Sequence, residues 1–249
     1  MATLGVILAA VNARAGKPDD RVGVVLLERT LLDPPRLPAM TRWTAAVHRR
    51  FPQAERLAYV WHLVSHARED GLRARASRRP AGDDQEFGGL QPSVAVTRAW
   101  EVSKMCAQVS GSSRVVLRTG TSLTPGALGR KRMREFVAAR RAEGFSIVWE
   151  PEGLWDDELA VAFARELDVT LLVPAFAGGR PRRVNETSNV IVDARAWLRI
   201  DGVGSRGGLD AHHIDALVEH AEQVPDATFV FSGPRALRHV GMLATELAG

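Results

Sequence analysis

Eight short apolar runs, rich in β-branched residues, recur along the chain at 4–11, 22–28, 57–63, 114–118, 145–150, 169–174, 196–200 and 228–232. Their near-continuous apolar character is that of strands buried on both faces, as in a parallel sheet, rather than of half-exposed strands with strict alternation. Stretches of helical period separate them. Ala95, Ala99, Val102, Cys106 and Val109 step by four and three after Pro92, which suits a first helical turn. Met133, Phe136 and Val137 mark a helix that Gly144 is placed to terminate. Asp156 and Asp157 load negative charge onto the start of a helix carrying Leu159, Phe163 and Leu167. Asp210 is placed to cap the helix of Ile214, Leu217 and Ala221, and Val240, Leu243 and Leu247 form a last stripe.

Eight strands alternating with helices in 249 residues match the size of a (β/α)8 TIM-like barrel. The pattern predicts one domain over 1–249, with no repeat or linker. Two βα units should be irregular, the first and the sixth: 12–21 is too short for a helix with its loops, and 175–195 shows little helical period. The third connection is long instead, a turn-rich loop over 67–91, and loops of that length are commonly functional.

Composition narrows the class. Hydrophobic residues at 45% and charged residues at 25% are those of an ordinary globular chain. A single cysteine, Cys106, leaves no intramolecular disulfide and no cysteine-rich zinc module, and points to the reducing cytoplasm. The first apolar run is too short to span a bilayer and lacks a basic flank, so a strand is preferred to a secretory signal, although the small residues after it resemble a cleavage region. The formal charge is +4, but acids are interspersed with the arginines. The densest basic stretch, 68–79, lacks aromatic platforms, so a solvated loop is favoured over a nucleic-acid groove.

A barrel places its chemistry at the carboxyl ends of its strands. There the chain offers Glu28, His62 with His66, Arg118, Glu150 with Trp155 beyond it, Arg199 with Asp201, and Ser232. Glu28 and Glu150 are the leading acid and base, since carboxylates in unlike environments divide those roles. The competing reading is a buried Glu to Arg pair tying strands together. His62 and His66 invite a metal with the two glutamates, but HLVSH lacks the zincin glutamate and reads as strand end running into loop, so no metal or other cofactor is assigned. Trp155 is read as a pocket wall. Residues 202–208 (GVGSRGG) meet the dinucleotide glycine spacing, yet the next strand does not end in the required acid; anion binding or plain flexibility remains for this loop.

Several segments together resemble the YecE-like family, domain of unknown function 72 (DUF72), in particular its archaeal-type branch. LERTLLDPP is similar to the family's second-strand segment, YVWHLVSH to its third, VVLRTGTSLTP to its QTP-type strand, IVWEPEGLW to the WEPRG-W signature and LRID-G to RLHG. Glu28, His66, Glu150, Trp155 and Arg199 match those motifs. The family's arginine after EP is Glu152 here, its RLHG histidine is Asp201, its closing asparagines are Ser232 and Gly233, and its GTSGW-like first strand is absent. The resemblance implies a TIM barrel and brings no assigned reaction with it.

The sequence therefore predicts an enzyme-like polar pocket at the strand ends, binding a small anionic ligand through Arg199 and Arg118, with His62, Trp155 and Asp201 lining it. Glu150 and Glu28 would serve as acid and base, and His66 would support one of them. Hydrolysis of a phosphate ester or glycoside fits these groups. The alternative is a binding protein that kept the barrel and lost its chemistry. Oligomeric state is left open.

Overall fold

All eight apolar runs form strands. In the computed structural model they are β1 (Thr3–Ile7), β2 (Val22–Leu27), β3 (Glu55–Tyr59), β4 (Arg114–Arg118), β5 (Ser146–Glu150) and β6 (Thr170–Pro174); after a two-residue antiparallel ribbon, β7 (Phe176–Ala177) with β8 (Arg180–Pro181), come β9 (Trp197–Ile200) and β10 (Thr228–Phe231). The structure describes residues 2–9, 17–77, 83–177, 180–181, 196–202, 208–224 and 226–249. The expected irregularity at 12–21 and 175–195 falls largely outside these residues, as does most of the 202–208 glycine loop.

The strands close into one parallel ring in the order β1-β10-β9-β6-β5-β4-β3-β2. Eight α-helices lie among the described residues: α1 (Arg29–Leu32), α2 (Leu37–Arg50), α3 (His62–Ser65), α4 (Val94–Ser110), α5 (Ala127–Ala142), α6 (Asp157–Leu167), α7 (Ala211–Gln223) and α8 (Ala236–Glu246). This is the (β/α)8 architecture that the alternation of periods predicts. None of these helices is long and apolar enough to cross a membrane.

The caps follow their local chemistry. Ser93 accepts the Val96 N–H at 3.0 Å to start α4, Asp156 accepts the Leu159 N–H at 2.8 Å to start α6, and Asp210 accepts the His213 N–H at 3.1 Å to start α7. Gly144 takes a φ of 85° just past α5, where a residue with a Cβ is strained.

Successive strand residues face opposite ways, and the buried side chains sort accordingly into two clusters. Leu26, Leu57, Val116, Val148, Leu172 and Val230 fill the inside of the ring. Their neighbours, Val25, Ala58, Leu117, Trp149, Leu171 and Phe229, belong to the larger cluster between ring and helices. Both faces of each strand are thus dry, which is why the runs read as continuous rather than alternating.

One expected strand is shorter than the run suggests. The apolar run 57–63 ends as a strand at Tyr59, and His62–Ser65 winds into a helical turn in which the His66 N–H donates to the His62 carbonyl at 2.7 Å. The long 67–91 connection carries two 3-10 turns, Arg73–Arg75 and Asp84–Glu86, joined by an Arg73 to Asp84 ion pair of 2.7 Å.

Candidate functional site

The two-residue step that places Leu26, Val116, Val148 and Trp197 inside the ring next delivers Glu28, Arg118, Glu150 and Arg199 at its carboxyl-terminal mouth. Arg118 and Glu150 are direct partners in the β4–β5 register, and Arg199 pairs with Pro174 on β6 and Val230 on β10. Residues scattered over most of the sequence are therefore brought together by register alone.

Arg199 is the hub. Its Nη1 donates to Glu150 Oε1 at 2.6 Å, its Nε donates to both Asp201 oxygens at 3.1 and 3.2 Å, and its Nη2 lies 3.7 Å from Glu28 Oε1. Arg118 stands beside it, donating from Nε to Glu152 at 2.5 Å. It also lies 3.7 Å from Glu28 Oε1 and 3.9 Å from Glu150 Oε1. The Ser232 hydroxyl donates to Asp201. Glu28, Glu150, Glu152 and Asp201 thus share two guanidiniums, four carboxylates against two cations.

The field of this cluster has definite consequences. Burial works against the charge of Arg199 and Arg118, but Glu150 foremost and the acids beside it outweigh that cost and raise both pKa values, so both stay cationic. Tyr59, fully buried on the same inward parity, has its pKa raised well above the ordinary phenol value by burial and then by the Glu150 charge. It remains a protonated hydrogen-bond donor.

Three buried polar atoms here lack a partner among the described residues: Glu150 Oε2, the Tyr59 hydroxyl and His66 Nε2. An unsatisfied buried polar group costs about 1–3 kcal/mol, so such atoms in one region mark a place shaped for something other than stability.

His66 is held from the opposite side. Its Nδ1 lies 2.9 Å from Ser65 Oγ, and burial lowers its pKa to about 3, so the ring is neutral near neutral pH. Asp70 backs this region. It accepts the Ala67 N–H at 2.8 Å, the Thr121 hydroxyl at 2.7 Å, the Ser122 N–H at 3.0 Å and the Ser122 hydroxyl at 2.7 Å. Burial opposes its charge, but these bonds prevail and leave its pKa lowered. Gly120 is required between them, because a Cβ there would come 2.1 Å from Asp70 Oδ2 and 3.0 Å from His66 Cδ2. The staple fixes the 67–70 loop to the turn after β4.

Two expected site residues sit elsewhere. Trp155 does not wall the mouth: its indole N–H donates to the Leu123 carbonyl at 2.6 Å, and the ring stacks on Phe163 at 5.2 Å within the outer core. Its position past the end of β5, off the inward step, explains the difference. His62 is buried with Nδ1 2.9 Å from the Leu31 carbonyl, a packing and tethering arrangement rather than a binding one. Among the described residues no three or more His, Cys, Asp or Glu side chains are placed together so as to hold a metal ion. Arg118 and Arg199 are at the mouth as expected, but each is already engaged by carboxylates, so neither offers a free cation.

Tyr59 and Asp70 were not among the sequence candidates. Tyr59 carried a usable signal, lying two residues beyond Leu57 on the inward parity, whereas the partners of Asp70 are some fifty positions distant in sequence. Beside the cluster opens a cleft of about 220 Å³ that shares Glu28 and Arg118 with it.

No protein-family model and no curated protein matches the chain in sequence. Solved structures match in shape. A DUF72 family protein from Enterococcus faecalis V583 aligns with 100% of this chain and 96% of its own at TM-score 0.61 and 12% identity. A second DUF72 family protein, from Thermotoga maritima MSB8, aligns over 100% of both chains at TM-score 0.56 and 14% identity. A xylose isomerase domain containing protein from Salmonella typhimurium LT2 aligns with 92% of this chain and 88% of its own at TM-score 0.57 and 12% identity. What is shared at such identities is the fold: this chain has the TIM barrel of the DUF72 and xylose isomerase-like structures, two of which carry the family name that its motifs resemble.

Proposed function

We propose that this chain, a divergent relative of the DUF72 barrels, is an acid–base hydrolase of a small polar substrate that enters at the strand ends. The observation that carries the reading is Glu150: a carboxylate only 6% exposed, with one oxygen fixed by Arg199 at 2.6 Å and the other buried without a partner among the described residues. A base oriented through one oxygen and free at the other is the arrangement needed to take a proton from water or a substrate hydroxyl. Glu28, with Oε1 3.7 Å from each of the same two guanidiniums, is the second carboxylate. Tyr59 donates a hydrogen bond to the substrate, the neutral His66 orients it through Nε2, and Arg118 and Arg199 hold the carboxylates in position around it. The excess of carboxylates over guanidiniums favours a hydroxyl-rich reacting group over a bare anion at Glu150 itself, which makes a glycoside the preferred substrate bond.

The test is a panel of p-nitrophenyl glycosides and phosphates assayed with the wild-type chain and with Glu150→Gln. For any substrate turned over, loss of the base should lower kcat about 10²- to 10⁴-fold while circular dichroism stays native. Unchanged turnover in Glu150→Gln removes the assignment.

A second reading has its own observation. Arg118 and Arg199 link the ends of β2, β4, β5 and β9 through ion pairs, as a purely structural clasp would. On that reading the chain binds without catalysis, and Glu150→Gln changes stability but no reaction.

A further inference from the structure

We propose that the cleft beside the mouth is an anion-binding subsite, in which Arg29 and Arg75 hold the phosphate, sulfate or carboxylate of a substrate whose reacting bond lies at Glu150. This rests on the acid–base reading of the mouth and adds the substrate's second group. The arginines of the neighbourhood divide sharply. Arg118 and Arg199 are committed to carboxylates, and Arg73 is committed to Asp84. Arg29 and Arg75 line the cleft and are exposed, and among the described residues their guanidinium groups make no hydrogen bond or ion pair. Two uncommitted guanidiniums on one concavity are the donor set for a tetrahedral or planar anion, which each fork can take through two N–H groups.

The rest of the lining gives the ligand its shape. Leu31, Leu32 and Leu72 supply an apolar side, so the group between anion and reacting bond has a carbon face to present. Asp33 in the same cleft accepts the Ser77 N–H at 3.1 and 3.2 Å. Glu28 and Arg118 connect the cleft to the charged mouth, so one molecule spans both. The substrate class is therefore a small molecule with an anionic group at one end, an apolar ring or chain face, and a hydrolysable polar bond at the other end. Its anion is recognised at the β2 and β3 side of the mouth, not through Arg118 and Arg199.

Calorimetry with phenyl phosphate, inorganic phosphate and phenol tests this on the full chain. Phenyl phosphate should bind more tightly than either fragment, and more weakly as sodium chloride is raised. A charge-assisted hydrogen bond is worth about tenfold in affinity or more, so Arg29→Ala with Arg75→Ala should weaken phenyl phosphate at least tenfold. Both residues are exposed, and the variant should keep the wild-type melting temperature. Equal binding by the double arginine variant, or phenyl phosphate no better than phenol, overturns the subsite even if Glu150→Gln abolishes turnover. Normal turnover by Glu150→Gln with the arginine effect intact leaves the subsite standing and removes the acid–base reading.

Discussion

The inside of the ring and its mouth are built by the same strands through the same two-residue step, yet opposite physics governs them. Val116, Val148 and Trp197 are packed apolar side chains whose value lies in leaving water. Two residues on, Arg118, Glu150 and Arg199 are charges taken out of water, and ion pairs at 2.6 to 3.9 Å offset that loss without leaving a large surplus. One layer is arranged for stability. The other keeps buried groups unsatisfied, as a site that exchanges its partners with a ligand must.

The strongest way to break this contrast is to exchange the two kinds of damage. Leu26 is fully buried inside the ring, and Leu26→Ala should cost about 2–5 kcal/mol through lost transfer energy and the cavity left behind. Glu150→Gln keeps the shape and one acceptor oxygen for Arg199, so its loss should appear in turnover more than in chemical denaturation. If urea unfolding shows Glu150→Gln to be as damaging as Leu26→Ala, the mouth is a structural clasp and the contrast is wrong.

The next effect depends on pH. With its pKa lowered to about 3 by burial, His66 stays neutral in the folded chain while the unfolded chain takes up a proton near the ordinary value of 6.5. The unfolded state binds more protons in that window, so stability is lost as pH falls from about 6.5 towards 3, by up to about 5 kcal/mol at roughly 1.4 kcal/mol per unit. His66→Asn should flatten that part of the stability curve, measured by denaturant unfolding between pH 7 and pH 4. The slope left below it comes partly from Asp70, whose lowered pKa makes its protonation destabilising as well. An unchanged slope in His66→Asn would place the acid sensitivity in other buried imidazoles.

These two residues also show what the chain discloses before it folds. The eight strands were legible because each is dry on both faces and so appears as an unbroken apolar run. Glu28, Arg118, Glu150 and Arg199 were legible as polar residues ending those runs. The rotation of a side chain past a strand end was not. Trp155 follows Glu150 closely but turns into the outer core against Phe163, and His62 turns onto the Leu31 carbonyl because a helical turn replaces the expected loop. Asp70 was beyond reach, since its worth comes from Thr121 and Ser122 on a different connection.

That connection supports a smaller prediction. Gly120→Ala places a methyl group 2.1 Å from Asp70 Oδ2, so the staple or the backbone must move. Overpacking of this kind costs about 1–3 kcal/mol, and here it should also displace His66. The readout that separates this from generic loss of stability is the pH slope assigned to His66, which should shrink in Gly120→Ala if the ring gains access to water. A variant that is destabilised equally at pH 7 and pH 4 would show that the staple holds the loop without burying the imidazole.

The smallest effect lies where the two layers meet. Tyr59 packs its ring with the apolar cluster inside the barrel and presents a hydroxyl to the charged mouth, where that oxygen has no partner among the described residues. Removing a buried hydroxyl that makes no hydrogen bond forfeits no bond and relieves its desolvation, so Tyr59→Phe should leave stability unchanged or raise it by less than about 1 kcal/mol. The same change should lower turnover of any substrate found for Glu150, because the hydroxyl, kept protonated by burial and by the Glu150 charge, is then a donor to that substrate. A stabilised but less active variant would put Tyr59 with the mouth. A destabilised variant of undiminished activity would put it wholly with the packed interior and move the boundary between the two layers one residue outward.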